Sequence, residues 1–284
     1  MPDAPKLRQR VPSNGVALAV NVWPGDGATI VAVHGLTANH TCWYPLADVL
    51  TPEFRLIAYD LRGRGDSDKP ERGYHLAVHA RDLLGLLDHF GLGRAIVAGH
   101  SLGAAIAVWF AAHYPARVDK VVLFDGGFDP RAEVFDSIAP AVARLGIEFP
   151  SLETYLAAIK GLPMFVGRWN DHLTRYFTYD VAPLPAGGVR SKVSRPAIDE
   201  EIQNLTRTRL WTLHHRVAAP TLLLRAPDGL LTIDDCLMTQ DEAEAMARAI
   251  PRCRLVVVPA TNHYTILLGD HAVAQREVLG FLRP

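Results

Sequence analysis

The strongest constraint on how this chain folds is a rhythm. Short apolar, largely β-branched runs such as Ile30-Val31-Ala32-Val33 and Val121-Val122-Leu123-Phe124 recur, and most are followed by longer stretches with helical spacing. The runs are apolar without alternation, as parallel strands covered on both faces must be. The pattern predicts strands over Val16–Trp23, Thr29–Val33, Arg55–Tyr59, Ala95–Ala98, Lys120–Phe124, Thr221–Arg225 and Arg254–Val258. It predicts helices over Cys42–Leu50, His75–Phe90, Ser101–Tyr114, Asp241–Ile250 and Ala272–Leu282, with Pro115 ending the third. Strand–helix–strand repetition of this kind implies an α/β fold with a doubly wound, mostly parallel sheet.

Between residues 129 and 217 the rhythm breaks. Prolines 140, 150, 163, 183 and 185 and the Gly187-Gly188 pair punctuate several short helical patterns, and aromatic residues are dense there. A stretch of that size is too long for a loop. The expectation is one α/β core, 1–128 with 218–284, interrupted by a helical cap over the C-terminal edge of the sheet.

Composition narrows the partners. Of 284 residues, 49% are apolar and 21% charged, which excludes a disordered chain. With 29 basic and 30 acidic side chains the net charge is −1, so electrostatics gives no drive toward nucleic acid or anionic membranes. The longest apolar stretch, Leu102 to Ala112, is about half of what a membrane span needs. Residues 1–6 carry no apolar signal-peptide core, and three cysteines (Cys42, Cys236, Cys253) make no disulfide framework. A cytoplasmic protein is expected.

One motif carries chemistry. Ala95-Ile96-Val97-Ala98 leads into Gly99-His100-Ser101-Leu102-Gly103 and then into an alanine-rich helical run. A G-x-S-x-G between strand and helix puts a serine on a tight, strained turn, with glycines where side chains would collide. The helix N-terminus then favours negative charge developing beside the hydroxyl. The competing role for Ser101 is an ordinary helix N-cap.

With Val33-His34-Gly35-Leu36, Asp60-Leu61-Arg62-Gly63-Arg64-Gly65-Asp66-Ser67 and a late histidine, the chain resembles the α/β-hydrolase family everywhere except in the cap. The resemblance implies that the backbone N–H groups of Leu36 and Leu102 form an oxyanion hole, and that Arg62 and Asp66 hold loops together. It makes His263, in the loop after the last strand, the general base, although Asn262 stands where the family commonly has glycine.

The third member is open between two sites. Asp125, 24 residues after Ser101, ends the next strand, where some branches of the fold carry the acid. Asp228 follows the strand after the cap, the more usual place, but a G-x-x-D alignment sets Gly229 in the acid's position. Asp125 is favoured, with Asp234 and Asp235 as further alternatives. The acid would hold the histidine tautomer and stabilise the imidazolium.

Other chemistries fit less well. His75, His79 and Asp82 lack the glutamate of H-E-x-x-H and are expected on an exposed amphipathic face, as His214-His215 is on the cap surface; no metal is implied. No dinucleotide fingerprint or P-loop occurs, so no cofactor is implied. A serine at the elbow disfavours aspartate-nucleophile chemistry. The expected activity is a serine carboxylesterase acting on a small ester. A lactonase, for instance of N-acyl homoserine lactones, is the alternative, with a C–C bond hydrolase or a non-catalytic receptor further off. Trp43, Tyr44, Phe128, Trp169 and Tyr264 are the candidate lining of an apolar pocket.

Overall fold

An Asn-Gly turn joins the first two strands. The computed structural model describes residues 7–232, 234–269 and 272–283. β1 (Leu7–Ser13) and β2 (Val16–Trp23) form an antiparallel hairpin whose turn residues, Asn14 and Gly15, have φ of 47° and 80°. Such left-handed pairs match the twist of the flanking strands. β1 falls outside the expected set: Arg8, Gln9 and Arg10 hide any apolar pattern, and Pro12 is tolerated because the strand lies at the sheet edge.

β2 pairs antiparallel with β4 (Arg55–Tyr59), and from there the sheet is parallel through β3 (Thr29–Val33), β5 (Ala95–His100) and β6 (Val118–Phe124). Between β6 and the next core strand lie three short strands, β7 (Glu148–Phe149), β8 (Val181–Pro183) and β9 (Val189–Ser191), in a separate antiparallel sheet. β10 (Thr221–Arg225) and β11 (Cys253–Val257) complete the main sheet, in the order β1-β2-β4-β3-β5-β6-β10-β11. The non-alternating runs of β3, β5 and β10 are buried on both faces, as their composition requires.

The stretch between β6 and β10 includes helices Ala132–Ser137, Ala139–Ala143, Leu152–Lys160, Asp171–Asp180 and Arg195–Arg207. Its aromatics largely bury one another: Phe165 packs edge-on to Trp169, Phe177 and Tyr264, and Trp169 stacks on Phe177. The small sheet departs from an all-helical reading, because strands of two or three residues carry no periodicity. Among the described residues no helix is long and apolar enough to cross a membrane.

Two histidine expectations are corrected. His79 and Asp82 are fully buried rather than on an exposed face, because Asp82 meets Arg62 in a two-pronged ion pair (2.6 Å to each oxygen) and His79 faces Glu201. His75 caps its own helix, accepting from the Ala77 N–H at 3.1 Å. His214 is buried against the Gly127 carbonyl, which accepts its Nε2–H at 2.9 Å, while His215 is exposed.

Candidate active site

β5 delivers Ser101 onto a backbone that few residues adopt: φ 57° and ψ −119°. Holding a serine there costs about 1–3 kcal/mol, which the surrounding structure must impose. The Ser101 N–H donates to Phe124 O on β6 (3.0 Å), and Leu102 begins the helix that runs to His113. Gly103 shows why the motif needs glycine, since a Cβ there would lie 1.9 Å from the Val33 carbonyl oxygen. A Cβ on Gly35 would stand 3.1 Å from the Ser101 Cβ, which fixes the His34–Leu36 segment directly against the serine.

Asp125, the residue after the end of β6, is also left-handed with φ 46°. Its N–H donates to Leu224 O at 2.8 Å, and its Oδ1 accepts from the Ala226 N–H at 3.1 Å, tying the turn to β10. Its other oxygen, Oδ2, accepts from His263 Nδ1 at 2.8 Å, and both side chains are nearly inaccessible to solvent. Of the candidate acids it is therefore Asp125 that the structure brings to His263. Asp228 instead pairs with Arg168 at 2.7 Å and is a third exposed. Asp235 accepts N–H bonds from Leu230, Leu231 and Thr232, closing its own loop, and Asp234 is exposed.

Asn262 accounts for its own departure from glycine. Its Oδ1 accepts from the Tyr264 and Thr265 N–H groups (3.1 and 3.0 Å), and its Nδ2 donates to Met164 O (2.8 Å). The loop carrying His263 is thus built around that amide.

The neighbouring histidines are held neutral. Burial pulls His34 down to about 4, with its Nε2 accepting from the Leu61 N–H (3.0 Å) and its Nδ1–H donating to Gly35 O (2.9 Å). Burial, and then the adjacent His263, lower His100 well below the ordinary imidazole range; its Nε2–H donates to His263 O at 2.8 Å.

Ser101 lies between two cavities. One, of about 40 Å³, is lined by Leu36, Thr37, Tyr176, His263 and Tyr264 among others; the second, of about 60 Å³, by Leu102, Ala105, Asp125 and Phe128 among others. Leu36 and Ile138 border both. Leu102, as the first residue of its helix, has an N–H without an intrahelical acceptor, the kind of donor an oxyanion site needs. Of the expected aromatic lining, Phe128 and Tyr264 face these cavities. Trp43 is packed against Phe124, Tyr44 against Trp23 and under the Arg175 guanidinium, and Trp169 against Phe177. Thr37, Cys42, Tyr176 and Leu267 line the first cavity with the serine, without any sequence signal to mark them.

These elements define a strand–serine–helix elbow facing a late histidine and a strand-end aspartate on a mostly parallel sheet. Residues 28–270 match the family model described as alpha/beta hydrolase fold, and the chain belongs to that family. It is 33% identical to the 2-(acetamidomethylene)succinate hydrolase of Mesorhizobium japonicum over 249 residues, 84% of this chain and 83% of the relative. The solved structure of an E-2-(acetamidomethylene)succinate hydrolase superposes with a TM-score of 0.84 at 29% identity, covering 97% of this chain and 98% of that one. The enol-lactonase of Burkholderia xenovorans LB400 shares the fold at a TM-score of 0.71 and 20% identity, over 96% and 99% of the two chains.

Proposed function

We propose that the chain is a serine hydrolase that cleaves small, uncharged carboxylic esters through an acyl-enzyme. In this reading Ser101 attacks the carbonyl as His263 takes its proton, and Asp125 holds the His263 tautomer and balances the imidazolium. The oxyanion rests on the Leu36 and Leu102 N–H groups, at the positive end of the helix from Leu102. His263 then returns the proton to the leaving alcohol, and a water repeats the sequence to release the acid. Residues 129–217 act as a cap, which contributes Ile138, Ala141 and Tyr176 to the cavity walls beside Ser101.

The observation that carries this is the buried 2.8 Å contact between Asp125 and His263, beside cavities that Ser101 also lines. The preference for a neutral substrate rests on the walls, among whose described residues no arginine or lysine stands. Arg144, on the cap side, already donates to Thr37 O and Tyr155 Oη and pairs with Asp180. Small cavity volumes favour short acyl groups over long ones. The reduced cysteines, Cys42, Cys236 and Cys253, suit a cytoplasmic location.

One observation favours a second reading, hydrolysis of an amide-type bond in a carboxylated substrate: the 33% identity to a hydrolase whose name specifies a substituted succinate. Turnover of p-nitrophenyl acetate and butyrate, N-acyl homoserine lactones and 2-(acetamidomethylene)succinate by one preparation separates the possibilities. The ester reading expects the highest kcat/KM on the short esters. A hundredfold preference for the succinate would replace it with the second reading, and the same preference for a lactone would make the chain a lactonase.

A further inference from the structure

The loop that holds Leu36 is fastened in an uncommon way. Three consecutive carbonyls, those of Gly35, Leu36 and Thr37, each accept a hydrogen bond from a buried side chain. His34 Nδ1 donates to Gly35 O (2.9 Å), Arg64 Nε to Leu36 O (3.0 Å) and Arg144 Nη2 to Thr37 O (2.9 Å). The Gly35 carbonyl and the Leu36 N–H belong to one peptide plane, so His34 sets that plane directly, and the two arginines hold the next two.

Neither arginine stands alone. Arg64 is entirely buried; its Nη1 donates to Arg62 O (3.0 Å), and its Nη2 donates to Glu201 Oε2. Glu201 lies on the helix Arg195–Arg207 of the inserted segment and is 1% exposed, with His79 Nε2 2.9 Å from its other oxygen. Arg144, itself in the insertion, pairs with buried Asp180, which also accepts from Tyr155 Oη (2.6 Å). Burying such charges is costly, and apolar side chains of the same volume often stabilise a fold as well or better. What apolar residues could not do is aim two guanidinium groups at two adjacent carbonyls.

We propose that Glu201 and Asp180 are positioning residues for the oxyanion loop. Through Arg64 and Arg144 they hold the Leu36 and Thr37 carbonyls back, so that seating of the inserted segment and readiness of the Leu36 N–H become one event. The catalytic consequence rests on the hydrolase reading above; the structural coupling does not.

The test compares Glu201→Gln with Glu200→Gln. Glu200, one residue earlier on the same helix, accepts from the Gly73 and Tyr74 N–H groups (3.1 and 2.9 Å) and anchors the helix without touching Arg64. Two readouts are taken: ester turnover, and hydrogen exchange of the peptide spanning residues 34–39. Glu201→Gln is expected to lower kcat about ten- to hundredfold with KM nearly unchanged, and to speed exchange in that peptide. Glu200→Gln is expected to lower the melting temperature while leaving kcat and that peptide as in the wild type. If Glu201→Gln does not fold, the paired substitution Arg64→Met with Glu201→Leu removes both charges, and the same losses are expected of it. Unchanged exchange at 34–39 in a folded Glu201 variant, or equal effects from Glu200→Gln, overturns the proposal. A wild type that turns over none of the substrates overturns the hydrolase reading instead, and the exchange comparison still decides the coupling.

Discussion

Asp125, just past the end of β6, and His263, in the loop after β11, meet across 138 residues of sequence through a 2.8 Å bond from Nδ1 to Oδ2, with both side chains nearly inaccessible to solvent. The left-handed backbone at Asp125 turns the carboxylate off the sheet edge, and the Ala226 N–H fixes its second oxygen. A carboxylate so placed leaves His263 Nε2 as the nitrogen available for proton transfer.

Exchanging that carboxylate for an amide keeps the shape and loses the tautomer control. Asp125→Asn is expected to lower kcat on a short ester by about 10⁴-fold. Asp228→Asn should stay within about twofold, because it breaks only a partly exposed pair with Arg168, worth at most about 1 kcal/mol. Parallel kinetics on the two variants check the assignment, and near-normal turnover in Asp125→Asn would refute it.

Gly103 tests the geometry of the elbow. An alanine Cβ there would press to 1.9 Å from Val33 O and 2.8 Å from His34 O, both backbone atoms beside the serine. Relief requires the helix to move off β3. Gly103→Ala is expected to lose about 3 kcal/mol or more of unfolding free energy, or to fail to fold. A urea midpoint matching the wild type would mean that the helix has slack the structure does not show.

Restoring the family's usual residue at position 262 should be harmful. Asn262→Gly forfeits the bonds to the Tyr264 and Thr265 N–H groups and to Met164 O. The expected cost is about 1–3 kcal/mol, read as a fall in melting temperature. A more stable variant would show that the amide is dispensable to the loop.

Stability should depend on pH through the buried histidines. The folded state holds His34 at about 4, below the ordinary 6.5, so between those values the unfolded chain binds the extra proton. Stability is then complete above pH 6.5 and declines as the pH falls toward 4, by about 1 kcal/mol per unit for this residue, with His100 adding in the same direction. Glu201, lowered to about 2 by its partners His79 and Arg64 against the opposing effect of burial, contributes stability that is lost only as the pH falls below 4.5, so it does not enter a comparison between pH 5 and 6.5. Urea titrations at pH 5 and 6.5 should show a shallower loss in His34→Gln than in the wild type. Parallel losses would place the titration elsewhere.

Much of the site was legible because its chemistry is local. Ser101 is announced by four neighbours and a strand–helix boundary, and His263 by its place after the last core strand. Asp125 could be favoured on the same logic, but only the fold separates it from Asp228, since both follow strands and differ in which turn faces His263. The rest depends on packing between distant segments. Trp43 and Trp169 are aromatic in the right regions yet spend their faces on Phe124 and Phe177. His79 looked like surface because its partner, Glu201, comes from a helix more than a hundred residues later. β1 was hidden by arginines, although Asn14-Gly15 marks its hairpin.

The central claim, that Ser101 is a nucleophile activated by His263, is tested most directly by intact-mass analysis after exposure to a fluorophosphonate. The wild type should gain one adduct, mapped to Ser101, at a rate that falls by orders of magnitude in His263→Ala. An unmodified Ser101 in the folded protein, or equal labelling in His263→Ala, would contradict it.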